Sequence, residues 1–438
     1  MLGGSGILTG NVTSTGTIAP GNSVGTLTVV GDFEQTGGIF DIQHDWHGID
    51  RLTVTGAAAL LPGPDLPRVT VTPQGGAGGS GVILEAAGGI SGHFGGVSYL
   101  GNGAATLFQT DTTVSLIALD GTAPAASAFA GTQTGLDFLE GLAAEQLAGL
   151  SGCHGACLLD QGAQDRHLWT RGFGRFYQED AADGNQAYSY RDAGGALGGD
   201  VAVSEGLRLG ASLGYANTAV NVPDNGADGS INSALGAVYA DYRAGRVFVT
   251  GALAGGWEGY ELSRTVVVDG LQRTARGSPD GWVLGASLQT GMCVCGTDGW
   301  SFVPSLGVAY QHQWIDAYTE QGAGAAGVSM NGQSSDAVRL RAQAWVGKDL
   351  VAEDLVVTPH VSLGVIQQLT WGGTAGGRFV TGEGFGLAPI DGDRTIGDLG
   401  AGVNLALRNG VTLYVEYNGQ VWGGGYDNAA IGGVRVTW

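Results

Sequence analysis

Ser23 is the residue whose neighbours come nearest to a catalytic motif. Gly21, Ser23 and Gly25 match the G-x-S-x-G pattern of a nucleophile elbow, in which a serine attacks a carbonyl carbon. Such an elbow needs a strand-to-helix turn, followed along the chain by an acid and a histidine. Because a Thr- and Val-rich run typical of a strand follows Ser23, the sequence predicts no hydrolase here and a chain that is not an enzyme.

The four cysteines form two close pairs, Cys153 with Cys157 and Cys293 with Cys295. This spacing is compatible with local disulfides in an oxidising compartment. A four-cysteine zinc site would require the two pairs to converge from different domains. We therefore expect local disulfides or free thiols, and neither a metal site nor a cofactor.

The composition indicates a chain with little charged surface. Charged residues make up 13% of the sequence, whereas a soluble domain has about 25%. The 40 acidic residues outnumber the 19 basic ones, which argues against nucleic acid as a partner because nucleic-acid binding depends on basic clusters. No run approaches the roughly 20 apolar residues of a membrane-spanning helix, so a membrane-spanning form of this chain must be a closed β-barrel.

From Leu168 onward, segments of about ten residues alternate apolar with polar or small side chains, as transmembrane β-strands do. One example is Leu207 and Leu209, which alternate with Arg208 and Gly210. The polar set should line a wet lumen, where its members pair with one another or hold a helix. The side chains predicted to face the lumen are Arg208, Arg339, Arg341, His360, Glu416 and Arg435.

We predict an all-β fold with twelve antiparallel strands in a barrel over residues 168–438. Long polar loops alternate with tight turns between the strands. An even number of strands places the N-terminal and the C-terminal end of the barrel domain on the same side, in the periplasm. The predicted strands are 168–176, 192–203, 206–217, 231–243, 246–258, 281–291, 300–314, 335–347, 355–370, 394–407, 411–421 and 429–438.

Aromatic residues gather near the predicted strand ends, where girdles at the two membrane interfaces are expected. The alternative is the ordinary preference of strands for aromatic residues. The candidates are Trp169, Phe176, Trp257, Trp282, Trp300, Trp314, Trp371, Trp422 and Trp438.

Two regions precede the barrel. Residues 1–122 contain short Gly-, Thr- and Val-rich runs, which predict the stacked coils of a parallel β-helix. Residues 123–167 form a linker in which Leu136, Leu139 and Leu147 recur at helical spacing. We predict one helix at about 134–150, roughly 25 Å long and therefore able to thread the pore.

Separate segments resemble the autotransporter family of type V secretion proteins. Pro20-Gly21-Asn22-Ser23-Val24-Gly25-Thr26-Leu27 is similar to the family's passenger junction motif, and 50–56 resembles the coil after it. Leu168-Trp169-Thr170-Arg171 resembles the first barrel strand. The chain end resembles the assembly signal of such barrels through Gly433, Val436 and Trp438, with tryptophan where phenylalanine is commoner.

The resemblance implies a barrel that exports its own passenger to the cell surface, with the helix plugging the pore afterwards. It also implies that the barrel is a monomer in outer-membrane lipid, and that its partners are the barrel-assembly machinery and periplasmic chaperones. Two alternatives are a surface-attached adhesin or virulence factor and a passive porin-like channel, which would need an open lumen. We expect no self-cleavage at paired asparagines, because 127–150 contains none, and we expect that a signal peptide is missing from this chain.

Overall fold

The computed structural model describes residues 1–22, 24–45, 48–74, 80–149, 166–223, 226–268, 271–353, 355–372, 375–390 and 392–438. Within this part of the chain, no helix combines the length and the hydropathy that a membrane-spanning helix requires.

The N-terminal hundred residues wind into a parallel β-helix, as predicted. Each coil adds one short strand to each of three parallel sheets, so equivalent residues stack above one another. Leu27, Leu52 and Leu84 form one such ladder in its interior. The strands are β1 (Leu2–Gly4), β2 (Gly6–Thr9), β3 (Val12–Ser14), β4 (Ile18–Pro20), β5 (Thr26–Val30), β6 (Phe33–Thr36), β7 (Ile39–His44), β8 (Arg51–Val54), β9 (Ala58–Leu61), β10 (Arg68–Pro73), β11 (Gly81–Ala86), β12 (Ile90–Gly92) and β13 (Val97–Tyr99).

An antiparallel hairpin closes the β-helix. Strands β14 (Gly103–Gln109) and β15 (Thr113–Asp120) pair with each other, and β15 also pairs antiparallel with β11. The chain enters the helix α1 (Thr122–Gly149) directly after β15.

Helix α1 begins at Thr122 and not near residue 134, so the predicted start was wrong. Its 28 residues span about 42 Å at 1.5 Å per residue. The first half consists largely of Ala, Gly, Ser and Thr, which give no contrast between an apolar and a polar face. The predicted last residue, Leu150, lies outside the described residues.

After α1, the described residues form strands, and most of these strands pair with a strand that is adjacent in sequence. They are β16 (Arg166–Glu179), β17 (Tyr188–Ser204), β18 (Leu207–Val222), β19 (Ala227–Ala244), β20 (Val247–Val268), β21 (Leu271–Gly277), β22 (Asp280–Met292), β23 (Val294–Cys295), β24 (Trp300–Ile315), β25 (Tyr318–Thr319), β26 (Val328–Met330), β27 (Gln333–Lys348), β28 (Leu350–Ala352), β29 (Leu355–Gly372), β30 (Ala375–Phe379), β31 (Gly384–Leu387), β32 (Arg394–Leu407), β33 (Val411–Trp422) and β34 (Gly425–Thr437).

Twelve of these strands form a closed antiparallel barrel, which confirms the predicted fold. They are β16 to β20, β22, β24, β27, β29 and β32 to β34. The barrel closes where the first strand, β16, pairs with the last, β34. Several strands run further than predicted because their hairpins continue to pair beyond the barrel wall; β20, for example, reaches Val268, where residue 258 was expected.

The connections differ at the two barrel ends. One end carries tight turns at 205–206, 245–246 and 408–410. At the other end, two long connections supply β25, β26, β30 and β31, which form a separate four-stranded sheet. The connection around Asp224, predicted to be long, is short, since β18 ends at Val222 and β19 begins at Ala227.

The four-stranded sheet packs against the hairpin that closes the β-helix. Ile117 and Leu119 of β15 share one buried apolar cluster with Val328, Phe379 and Leu387. The β-helix therefore packs against the barrel end that carries the long connections.

Large apolar side chains cover the outside of the barrel, as strands in contact with lipid require. Leu213 and Leu363 are each 65% exposed, and six predicted girdle tryptophans also point outward: Trp257, Trp282, Trp300, Trp314, Trp371 and Trp438. Trp169 and Trp422 do not belong to a girdle. Trp169 is 2% exposed inside the lumen, and Trp422 packs on Tyr177 at 5.1 Å between ring centroids.

Candidate functional site

Helix α1 fills part of the barrel lumen and packs most closely on β18, β19, β20, β22 and β24. Glycines in this wall make room for the large side chains of the helix. A Cβ atom on Gly214 would lie 2.7 Å from the ring of Phe138, and one on Gly285 would lie 2.8 Å from Leu139. The high glycine content thus serves, at these two positions, to let a helix fit inside the barrel.

Hydrogen bonds hold the helix to the same wall. Thr132 donates its hydroxyl proton to Gln313 Oε1 at 3.1 Å, and Gln313 in turn donates to Glu258 Oε2 at 2.9 Å. Nearer the other end, Gln146 donates to the carboxylate of Asp241 at 2.5 Å. Buried polar groups need such partners, so these bonds fix the helix against this wall at two heights.

The opposite side of the helix faces a cavity of about 130 Å³ and a wall of arginines. The helix has three acidic residues and no basic one. Asp137 accepts from Arg339 Nη1 at 2.7 Å and also pairs with Arg175. Glu140 pairs with Arg341 at 2.8 Å and with Arg339 at 3.3 Å.

Glu145 has the most enclosed of the three carboxylates. Its side chain is fully buried, and Arg435 Nε donates to it at 2.7 Å. The Tyr414 hydroxyl also donates to it, at 2.5 Å, and Arg171 Nη1 lies 3.8 Å from it. A charge in such a place requires close partners, because an unpaired buried carboxylate is strongly unfavourable.

The six predicted lumen residues all lie on the inside of the barrel, but in different surroundings. Arg339, Arg341 and Arg435 bind the helix carboxylates, as described above. Arg208 pairs instead with Asp200 at 2.5 Å, near the barrel end with the tight turns. His360 stacks on Trp345 at 5.1 Å, and Glu416 lines the cavity.

Two arginines of the first strand were missed by the sequence prediction. Arg171 and Arg175 on β16 both reach helix carboxylates. Their spacing could have identified them, since they alternate with Gly172 and Gly174. Glycine, however, provides no apolar contrast that would define a lipid-facing side of the strand.

The predicted junction segment forms a tight turn of the β-helix around one carboxylate. Gly25 N–H donates to Asp50 Oδ1 at 2.8 Å, and Gln43 N–H donates to Asp50 Oδ2 at 2.9 Å. Gly21 has φ +87°, and a Cβ atom there would overlap the Asp50 carboxylate. Burial raises the pKa of Asp50 above its ordinary value.

The other junction residues fit a structural role. Pro20 and Leu27 are buried, whereas Asn22 and Thr26 are exposed at the bend and at the start of β5. Ser23 lies outside the described residues. Among the described residues, this segment leads into a strand rather than a helix, so the geometry of a nucleophile elbow is not formed here.

The last strand and the cysteines complete the predicted sites. Gly433 lies against Tyr414, whose ring leaves no room for a Cβ atom, while Val436 pairs in register with Leu168 and Trp438 is 53% exposed. The role of these three residues as an assembly signal stays a prediction.

Cys293 and Cys295 are disulfide-bonded. That each cysteine pairs with its near neighbour in sequence stays a prediction, and Cys153 and Cys157 lie outside the described residues.

Esterase EstA of Pseudomonas aeruginosa is 26% identical over 149 residues, which are 33% of this chain and 23% of the esterase. Esterase EstA of Pseudomonas putida matches equally. Each match thus spans about a quarter of the length of the curated relative.

Among solved structures, the translocator domain of the autotransporter NalP from Neisseria meningitidis has the same fold, with a TM-score of 0.55 and 16% identity. The likeness covers 72% of this chain and 98% of that domain. A family model described as "Autotransporter beta-domain" matches residues 168–418, more than half of the chain. The chain therefore belongs to the autotransporter family, and its barrel is the outer-membrane translocator domain of that family.

Proposed function

We propose that this barrel exports the end of its passenger, the β-helix, to the cell surface. The β-helix then stays attached to the barrel without cleavage. The observation that carries the proposal is the continuous path from β15 into α1, whose three carboxylates are all bound by lumen arginines. A linker held at three heights along the pore resists sliding in either direction. Retention follows from these ion pairs between the linker and the pore wall.

The orientation of the barrel is part of the proposal. The tight turns face the periplasm and the end with the long connections faces outward, as is usual in outer-membrane barrels. The β-helix packs on that outer end, which supports a surface position for it. By family, the barrel-assembly machinery and periplasmic chaperones are the proposed assembly partners. A closed barrel has no free edge strand, which supports a monomer in lipid.

We propose that the chain itself carries out no chemistry. The likeness to the two esterases covers only the barrel, so it gives no reason to place their activity here. The occupied lumen argues against a passive porin-like channel. A surface-attached adhesin or virulence factor stays compatible with retention of the β-helix at the cell surface.

The test is external protease treatment of intact cells that express the chain behind a supplied signal peptide. Antibodies to residues 1–120 and to the C-terminus follow the two parts. We expect loss of the N-terminal epitope and a protected, heat-modifiable barrel of about 270 residues. Permeabilised cells are the control for protease access to the periplasm. Full protection of the N-terminal epitope in intact cells would contradict a surface passenger, and a soluble, fully digested protein would contradict the membrane barrel.

A further inference from the structure

The barrel closes along one seam, where β16 pairs with β34 from His167 beside Thr437 to Glu179 beside Gly425. This pairing joins the first barrel strand to the last, so it cannot form until the whole barrel sequence is in place. Interactions that cross the seam therefore decide how firmly the barrel is shut.

Two arginines flank this seam on the lumen side. Trp169 pairs with Arg435, and Arg171 pairs with Gly433, so Arg171 and Arg435 are diagonal neighbours on adjacent strands. Like charges at such a distance repel each other and oppose the pairing of their strands. Both arginine side chains are largely buried, at 15% and 11% exposure, so water screens this repulsion little.

Glu145 of α1 lies between these two arginines. Its carboxylate accepts a hydrogen bond from Arg435 Nε at 2.7 Å and lies 3.8 Å from Arg171 Nη1. Tyr414 on the neighbouring strand β33 donates to the same carboxylate. One helix side chain thus links three consecutive strands around the barrel: β16, β34 and β33.

A second link crosses the seam about two helical turns away, since Asp137 and Glu145 are eight residues apart on α1. Arg175 of β16 lies 3.3 Å from Asp427 of β34 and also pairs with Asp137 of the helix. Here the strands already carry opposite charges, so the seam is attractive at this height without the helix. The Glu145 position differs because the carboxylate that reaches both arginines there comes from the helix. Glu416 of β33 adds a further negative charge that acts on Arg435.

We propose that Glu145 is a seam-closing residue, which makes firm pairing of β16 with β34 depend on the presence of the linker helix in the pore. With the carboxylate absent, the two guanidinium groups repel across the seam. With it present, they share one counter-ion. The barrel is accordingly tightest when the linker is seated. This inference needs only the occupied barrel, and it holds whether or not the passenger is exposed on the surface.

The matched pair of variants is Glu145→Gln and Glu140→Gln in the full chain, folded in detergent or lipid. Each removes one carboxylate from the same helix, but the partners of Glu140 lie on β27, which is not one of the two seam strands. Hydrogen–deuterium exchange is measured for β16 and β34, and for β22 and β24 as an internal reference. We expect Glu145→Gln to accelerate exchange in β16 and β34 at least tenfold relative to β22 and β24, and Glu140→Gln to leave that ratio unchanged.

A double variant, Glu145→Gln with Arg171→Gln, covers the case in which the single variant fails to assemble. Removing one of the two repelling charges should restore a heat-modifiable barrel and bring seam exchange back toward that of the parent. Equal exchange ratios in the Glu145→Gln and Glu140→Gln variants would overturn the proposal. So would failure of the double variant to assemble under conditions in which Glu140→Gln does.

Discussion

His44 is fully buried at the end of β7, where its ring lies 5.8 Å from the ring of Tyr99. Burial disfavours the charged imidazolium and lowers the pKa of His44 to about 4. The unfolded chain binds this proton near pH 6.5, whereas the folded β-helix does not. The β-helix should therefore lose stability as the pH falls from about 6.5 towards 4, by up to about 1.4 kcal/mol per pH unit.

Hydrogen-exchange protection factors of β7 and β10 in the full chain measure this loss between about pH 7.5 and about pH 5. His44→Gln removes the titrating group and should flatten the slope. Asp50 acts with the opposite sign, since its raised pKa means that the folded state gains relative stability when it binds a proton. The difference in slope between parent and variant therefore isolates His44. Equal slopes would show that His44 does not titrate as argued.

At the residue scale, the sequence predicts polar side chains best where large apolar neighbours provide contrast. Arg208 and Arg339 alternate with Leu or Val and were assigned to the lumen. Arg171 and Arg175 alternate with glycine and were missed. Which arginine meets which carboxylate depends on the height and rotation of α1, and neither follows from the pattern of one strand.

Helix α1 fits inside the barrel because its large side chains lie against glycines of the wall strands. Gly285→Val should place new atoms where Leu139 lies, and overpacking of this kind costs about 1–3 kcal/mol. Leu139→Ala in the same chain should relieve the clash. The measurement is the melting temperature of the heat-modifiable barrel. The matched control is Gly174→Val, where a Cβ atom would meet nothing within 4 Å; an equal loss in both single variants would contradict a tightly seated helix.

The barrel strands could be predicted because lipid and lumen impose a period of two on each of them. The first half of α1 could not, because Ala126, Ala130 and their small neighbours carry no such contrast; they are selected by the narrow lumen, a tertiary constraint. The sheet of β25, β26, β30 and β31 was missed for a related reason. Its strands come from two connections distant in sequence, and each is too short to display a pattern.

At the scale of the whole molecule, the bilayer should determine which outward positions tolerate charge. Leu213 lies well inside β18 and is 65% exposed, so Leu213→Arg should cost about 2–4 kcal/mol in lipid. Leu350→Arg, in a hairpin beside a tight turn, should cost about 0–1 kcal/mol. Urea unfolding in lipid vesicles measures both. Equal costs would contradict burial of the Leu213 side in hydrocarbon.

The whole molecule is strongly acidic, with a net charge of −21, yet the acids of its only described α-helix are paired with arginines inside the barrel. Helix and barrel are therefore complementary as units, and the fold depends on their association as much as on the pattern of either one. The same association places the helix in the pore. A porin would leave that space to water.

Ion conductance in planar lipid bilayers tests most directly whether α1 plugs the barrel, when the purified chain is compared with a variant that lacks residues 122–149. We expect insertion of both proteins, little steady conductance for the full chain, and stepwise open-channel currents for the variant. Equal conductance of the two proteins would contradict a helix that plugs the barrel. Failure of the full chain to insert would contradict the membrane barrel itself.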